Sequence, residues 1–385
     1  MVTPSLILPA TAAEFTPDVL AKLADFEEQC LGERGLLTPE WRAVWERTPR
    51  EAYLPEKVWR QDRDRCRPIT TAEERTALVS CDEPVVTQVD DGAEDGPGVA
   101  TASNSMPSMV AKMLDLLDVR DGQQVLEIGT ATGYVAALLS ARLGDQNLTS
   151  VEIDASLTAQ AERYLSAAGY RPKLVVTDGA HGWPAGAPYD RIIATCALRH
   201  VPYELIEQLR PGGVLVAPRV GDFWCGALVR LTANDDGTAA GPFTGTATYL
   251  PMRSHRGTTG VAPDTSSPRS RSAEVQPQET VTPGFALYAG ARLPDVTLTE
   301  GREGADLRVW VHDGQGSGAI ADADGTVTEF GDRSIWGDVE AVWREWNRLD
   351  RPAISGMGLT VSRAGECVWV RRPAEVVEPV AQLIS

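Results

Sequence analysis

Three acidic side chains and a glycine-bearing turn have the residue types and spacing to hold a nucleoside. The stretch VLEIGTATGYVAALLSARLG, Val125 to Gly144, reads as a buried strand, a turn and a helix that stops at a glycine. The turn is Glu127-Ile128-Gly129-Thr130-Ala131-Thr132-Gly133, at a strand end and opening a helix. Glycines there let backbone approach a ligand and take conformations that a β-carbon resists. A dinucleotide fingerprint G-x-G-x-x-G would place further glycines where this chain has Ala131 and Val135, so a pyrophosphate finds less room. Glu152, in SVEID, ends the next strand at a spacing that suits a carboxylate accepting two ribose hydroxyls. Asp178, in VVTDGAHG, ends the one after, where a carboxylate can contact an adenine edge. This set suits a nucleoside with a cationic neighbour and no phosphate. The plain alternative is that Glu152 and Asp178 are ordinary strand-end acids.

The elements that must position these residues emerge from the pattern between Met106 and about residue 219. Short apolar runs (QVLEIG, NLTSVEID, KLVVTDG, DRIIATCA, VLVAP) alternate with amphipathic ones, which implies a parallel sheet covered on both faces. The fold class is therefore α/β, a doubly wound Rossmann-like sheet whose ligand sits at the carboxyl strand ends. WCGALVRLTA and GTATYLPM succeed one another without a helix between them and predict an antiparallel pair at the sheet edge. Upstream, residues to about 60 read as helical: Leu20, Leu23 and Phe26 share a face, and Thr38-Pro39 opens a second helix. DDGAEDGPG reads as a mobile flap. Gly257 to Thr280, rich in Ser, Thr, Pro and Gly, reads as a linker, and hairpins around one helix, SIWGDVEAVWREWNRLD, make a small α+β domain after it. The expected divisions are 1–100, 101–256, 257–283 and 284–385. The stripe Trp336, Val339, Trp343, Trp346 reads as core packing, with a ligand box as the alternative.

Composition excludes other classes. With 385 residues, 43% hydrophobic and 23% charged, the chain is an ordinary globular protein. A net charge of −18 argues against nucleic-acid and anionic-membrane partners, and no basic n-region or membrane-spanning run is visible, so a cytoplasmic protein is expected. Six cysteines without a CxxC pair and four histidines (His181, His200, His255, His312) give no metal spacing, so no metal is expected and the thiols read as reduced structural residues.

VLEIGTATGY, SVEID, TDGAHGWPAGAPYDRIIAT, QLRPGGVLVAP and the upstream SNSMPSMVAKML resemble, in order, the motifs of protein L-isoaspartate O-methyltransferases. That resemblance implies S-adenosyl-L-methionine as cofactor and a class I methyltransferase fold. Glu127 and Gly129 through Gly133, with Thr130 and Ala131, would cradle its methionine and ribose portion. Glu152 with Ile153 would take the ribose, and Asp178 with Gly179 the adenine. Ser103 and Ser105 match the loop that touches cofactor and substrate, with Ser105 the catalytic candidate; alternatively both are plain loop or N-cap residues. The chain departs from the repair enzymes in SNSMP, where their pattern has threonine, a bulky aliphatic residue, serine, a variable residue and proline. It also departs in RSHRG after TYLPM, and in about a hundred residues beyond the linker. A closer resemblance, carried by GERGLLTPEWRAVWERTPREAYLP, ATCALRHVP and GLTVSRAGECVWVRRP, is to actinobacterial relatives that accompany ATP-grasp enzymes making ester-crosslinked peptides (graspetides). It implies methylation of an ordinary aspartate in a modified precursor peptide, with closure to an aspartimide. Isoaspartyl repair, a lanthipeptide-associated homologue, and a cofactor-binding module without catalysis are the alternatives. The C-terminal domain would then recognise the peptide ring or serve structure alone. The sequence does not fix the oligomeric state.

Overall fold

In the computed structural model the described residues are 31, 35–62, 65–223, 226–257, 261–263, 265–303 and 306–380, in two compact units. The expected first helix, with Leu20, Leu23 and Phe26, lies outside them.

The first unit begins with α1 (Pro39–Glu46), whose N-cap Thr38 Oγ1 accepts the Trp41 amide at 3.4 Å, as the Thr-Pro pair predicts. A short helical turn, Arg50–Tyr53, follows α1, so the described part of the stretch to about residue 60 is helical as expected, and strands dominate only after it. Strands β1 (Trp59–Asp62) and β2 (Arg65–Pro68), a short helix α2 (Ala72–Val79), and strands β3 (Val85–Val89) and β4 (Ala100–Asn104) form an antiparallel sheet in the order β2-β1-β3-β4. β1 and β2 are polar and largely exposed, so they lack the apolar alternation that betrays a strand. The DDGAEDGPG flap is the tip of the β3–β4 hairpin.

The parallel sheet comes next: α3 (Pro107–Leu117), β5 (Val125–Ile128), α4 (Tyr134–Leu143), β6 (Leu148–Glu152), α5 (Ala155–Ala167), β7 (Lys173–Val176), β8 (Tyr189–Ala194), α6 (Tyr203–Glu207) and β9 (Leu209–Arg219). The order is β9-β8-β5-β6-β7, all parallel, so strand order reverses beside β5 and opens the crevice where open α/β sheets bind ligands. Leu126, Val151, Ile192 and Leu215 are fully buried. α4 is buried on nearly every face, and Tyr134 at its start stacks edge-on to Trp45 of α1.

The second unit comprises residues 197–203, 218–251 and 255–385. Its β10 (Ala227–Ala233) pairs antiparallel with β11 (Ala239–Thr246), so the second strand lies mostly before GTATYLPM and takes in only its first two residues. Nor is β11 an edge. β12 (Arg269–Ser272), α7 (Pro277–Thr280), α8 (Pro283–Arg292), β13 (Thr297–Glu303), β14 (Asp306–His312), β15 (Gly318–Ala321), β16 (Thr326–Phe330) and α9 (Ile335–Arg348) precede a last hairpin, β17 (Met357–Ser362) and β18 (Gly365–Val370). β17 pairs with β11 and β18 with β17, so the C-terminal hairpin continues this antiparallel pairing. A second sheet runs β12-β16-β15-β14-β13. Its edge strand β12, RSRS, lies inside the expected linker; alternating two polar residue types, it gives no apolar period. Trp336, Val339 and Trp346 of α9 are buried, and Phe285 of α8 meets Trp346 edge to face, so these positions of the stripe are core, whereas Trp343 is half-buried with Arg351 over its ring. The division groups residues 218–251 with the C-terminal part. Among the described residues no helix is long and apolar enough to cross a membrane.

Candidate functional site

The glycine turn is shaped by what its neighbours leave no room for. Gly129 has φ +97°, and a β-carbon there would lie 2.8 Å from Thr195 Oγ1, whose hydroxyl donates to the Gly129 carbonyl at 2.6 Å. The Gly129 and Thr130 amides donate to the Val151 carbonyl, tying the turn to the end of β6. Ala131 adopts the left-handed region with φ +46°, rare for a residue with a side chain. Gly133, φ +82°, opens α4 without a side-chain cap. At the far side of the site a β-carbon on Gly179 would sit 2.3 Å from Ile128 Cγ2, so the β7 loop lies directly on β5 only because residue 179 is glycine.

Glu152 is not a plain surface acid. It is 8% exposed; its Oε2 accepts the Ala131 amide at 2.9 Å and its Oε1 the Asp154 amide at 3.1 Å. Burial raises its pKa, opposed by these amides. A carboxylate has about four acceptor sites, so two remain for a vicinal diol. Ile153 beside it is 38% exposed, an apolar side chain left open at the strand end. Asp178 caps a short helical turn: its Oδ1 accepts from the Ala180 amide at 2.9 Å and from the Ser254 hydroxyl at 3.0 Å.

Glu127 sits beneath the turn, completely buried. Ser150 Oγ donates to its Oε2 at 2.6 Å, and Thr130 Oγ1 lies 2.6 Å from the same serine oxygen. Glu127 Oε1 is buried without a hydrogen-bond partner. Burial pushes its pKa up to about 8; the Ser150 hydroxyl opposes this and the Glu152 charge adds to it. At neutral pH Glu127 is therefore largely protonated. Burial, with Glu152 and Asp178 nearby, also pushes the Cys196 thiol up to about 12, so it is no nucleophile.

Ser103 lies in β4, paired with Val86, and Ser105 lies in the loop just beyond it; both are half-buried. Neither caps α3: its N-cap is Met106, and Asp82 Oδ1 accepts the Ser108 amide instead. Asn104, between the serines, donates to Thr132 Oγ1 at 3.2 Å and accepts from Arg50 Nε at 2.8 Å. The buried Arg50 also donates to the carbonyls of Glu83, Asn104 and Ser105. It thus clamps the serine loop to the glycine turn through Asn104. Its pKa is lowered to about 10 by burial and it stays charged. Sequence reasoning missed Arg50, Asn104 and Thr195; the motif TPREAYLP was the only signal for the first.

Asp154 was missed as well. It caps α5 through the Ser156 and Leu157 amides and accepts from Gln88 and Arg253. Burial alone would raise its pKa, but hydrogen bonds from Ser156, Gln88 and Arg253 hold it well below the usual carboxylate range.

Residues 87–257 match the family model described as protein-L-isoaspartate(D-aspartate) O-methyltransferase. A protein-L-isoaspartate O-methyltransferase of Methanosarcina mazei is 39% identical over 150 residues, 38% of this chain and 61% of that protein. One from Archaeoglobus fulgidus is 38% identical over 157 residues, 40% of this chain and 70% of that one. One from Rhodopseudomonas palustris is 32% identical over 237 residues, 61% of this chain and 84% of that one. A solved protein-L-isoaspartate O-methyltransferase shares the fold at a TM-score of 0.54 and 18% identity, covering 92% of this chain and all of that one. Such coverage reaches past residue 257, so the C-terminal residues do not set this chain apart in fold from a protein of that name.

Proposed function

We infer the activity of this chain from its family: it belongs to the protein-L-isoaspartate(D-aspartate) O-methyltransferases, whose cofactor is S-adenosylmethionine. The reading best supported is transfer of a methyl group to the free carboxylate of an isoaspartyl residue in a peptide. The observation that carries it is the family match across residues 87–257 together with 32% identity over 84% of a relative of that name. Substrate and partner are proposals: a polypeptide substrate, with the charge of −18 disfavouring anionic polymers and membranes, and a cytoplasmic setting.

The residues present fit the cofactor. The cradle at Gly129 and Gly179 admits backbone where a β-carbon would collide, Glu152 keeps two acceptor sites, and Glu127 Oε1 is an unpartnered buried polar atom at the same strand end. Gly129, Thr130, Ala131 and Gly133 would surround its methionine portion; Glu152 and Ile153 would hold the ribose, and Asp178 and Gly179 the adenine. When bound, the cofactor supplies an electrophilic methyl group on a cationic sulfur.

The chain itself supplies alignment. A substrate carboxylate, with a pKa of about 3.9, is already ionised at neutral pH and needs no general base. Ser105 would hydrogen-bond it, with Arg50 fixing the Ser105 carbonyl and so the loop, which is a proximity effect. Protonation of Glu127 keeps one negative charge out of a site that must admit a substrate anion.

One observation favours a second reading. Asn104 is a buried polar residue bonded to Arg50 and Thr132 where the repair-enzyme pattern has a bulky aliphatic side chain. An altered substrate loop suits methylation of an ordinary aspartate in a ring-constrained precursor peptide, followed by attack of the next backbone nitrogen, loss of methanol and an aspartimide. Mass spectrometry with an isoaspartyl peptide, its aspartyl isomer and an ester-crosslinked aspartyl peptide separates the two. Faster methylation of the isoaspartyl peptide supports the family reading; preference for the crosslinked peptide with loss of one water supports the second.

A further inference from the structure

The segment RSHRG after TYLPM opens with Arg253, and that residue bridges two acids on different elements. Arg253 Nη2 lies 3.1 Å from Asp91 Oδ1, at the tip of the β3–β4 hairpin, and 3.1 Å from Asp154 Oδ2, two residues beyond Glu152. The hairpin reaches Asp154 a second time, through Gln88 Nε2 at 3.1 Å. Gln88 is itself fixed by the Thr101 hydroxyl, which also accepts the Asp91 amide, each at 3.0 Å. One residue along, Ser254 donates to Asp178, and Met252 would lie 3.3 Å from a β-carbon on Gly179. Residues 252–254 therefore form a strap across the carboxyl ends of β6 and β7, fastened to the hairpin tip by one guanidinium.

We propose that Arg253 is a positioning residue for the cofactor: by joining Asp91 to Asp154 it holds the hairpin tip and strap over the ribose and adenine end of the site and slows cofactor and product release. The proposal rests on the reading that Glu152 and Asp178 hold the cofactor. The chemistry supports it. Asp154 and Asp91 are both anionic, and without a cation between them the tip and the strand end repel. Arg253 is partly exposed, so opening costs little beyond the ion pairs themselves, and the latch weakens with salt. Asp154 keeps its Ser156, Leu157 and Gln88 partners when Arg253 leaves, so the strand end stays formed.

The test measures affinity and dissociation rate for S-adenosylmethionine and S-adenosylhomocysteine in wild type, Arg253→Ala, Arg253→Lys, Asp91→Asn and, as a control on the site, Glu152→Ala. Asp91 is at an exposed hairpin tip, so Asp91→Asn keeps the fold even if Arg253→Ala does not. The expected result is about tenfold faster cofactor release and a raised KM for cofactor in Arg253→Ala, with the rate recovered at saturating cofactor. Arg253→Lys should restore part of the loss, Asp91→Asn should reproduce part of it, and the gap to wild type should narrow in high salt. Wild-type release from both Arg253→Ala and Asp91→Asn, with Glu152→Ala weakened, overturns the latch and leaves the site reading standing. Wild-type affinity in Glu152→Ala overturns the site reading and the latch with it.

Discussion

Glu152 accepts the backbone N–H of Ala131 at 2.9 Å, so the acid at the end of β6 and the left-handed residue in the middle of the glycine turn hold each other in place. The turn is thereby shaped before any ligand arrives, and the carboxylate retains acceptor sites for a ribose.

Replacing Glu152 by alanine removes the anchor of the turn and, on the proposed site reading, the ribose contact. Affinity for S-adenosylmethionine should fall by one to two orders of magnitude, from the roughly 1.5–3 kcal/mol typical of hydrogen bonds to charged groups. Isothermal calorimetry checks this; unchanged affinity removes Glu152 from the site.

Ala131 at φ +46° carries a strain that glycine would not. Ala131→Gly should stabilise the ligand-free protein by up to about 1 kcal/mol, less the extra entropy glycine gains in the unfolded chain. A denaturant midpoint below that of wild type would contradict this account of the turn.

Glu127 has a folded pKa of about 8, above its ordinary value of 4.5. The folded chain therefore binds more protons than the unfolded chain between those values, so this group's contribution makes stability fall as pH rises from 4.5 to 8 and level off above. Glu127→Gln should lose less stability than wild type between pH 5.5 and 8.5. Parallel pH profiles from denaturant melts would show that Glu127 is ionised in the fold.

Ser105→Ala should leave cofactor affinity intact and slow methyl transfer, since in the proposed reading the serine aligns the acceptor carboxylate. A wild-type single-turnover rate would return Ser105 to an ordinary loop residue.

Much of the catalytic unit was legible because buried parallel strands and covering helices write strong periods, and because strand-end acids fall at fixed distances from a glycine turn. That spacing singles out Gly129, Glu152 and Asp178, and the structure brings them to adjacent strand ends. The strands β1, β2 and β12 were not legible, since each is polar and exposed and leaves no apolar alternation. β17 returns to β11 from more than a hundred residues away, a pairing that local pattern cannot announce. Arg50 and Arg253 act through long-range contacts with Asn104, Asp91 and Asp154, and single arginines carry no spacing signal.

The central claim is that this chain methylates a peptide carboxylate. The most direct measurement is mass spectrometry of an isoaspartyl peptide incubated with the protein and S-adenosylmethionine, read for one added methyl group on a base-labile ester. The account predicts that product from wild type, with its rate much reduced in Glu152→Ala at the same limiting cofactor concentration. Stoichiometric cofactor binding with no methyl ester on isoaspartyl, aspartyl or crosslinked peptides would contradict it and leave a binding module without catalysis.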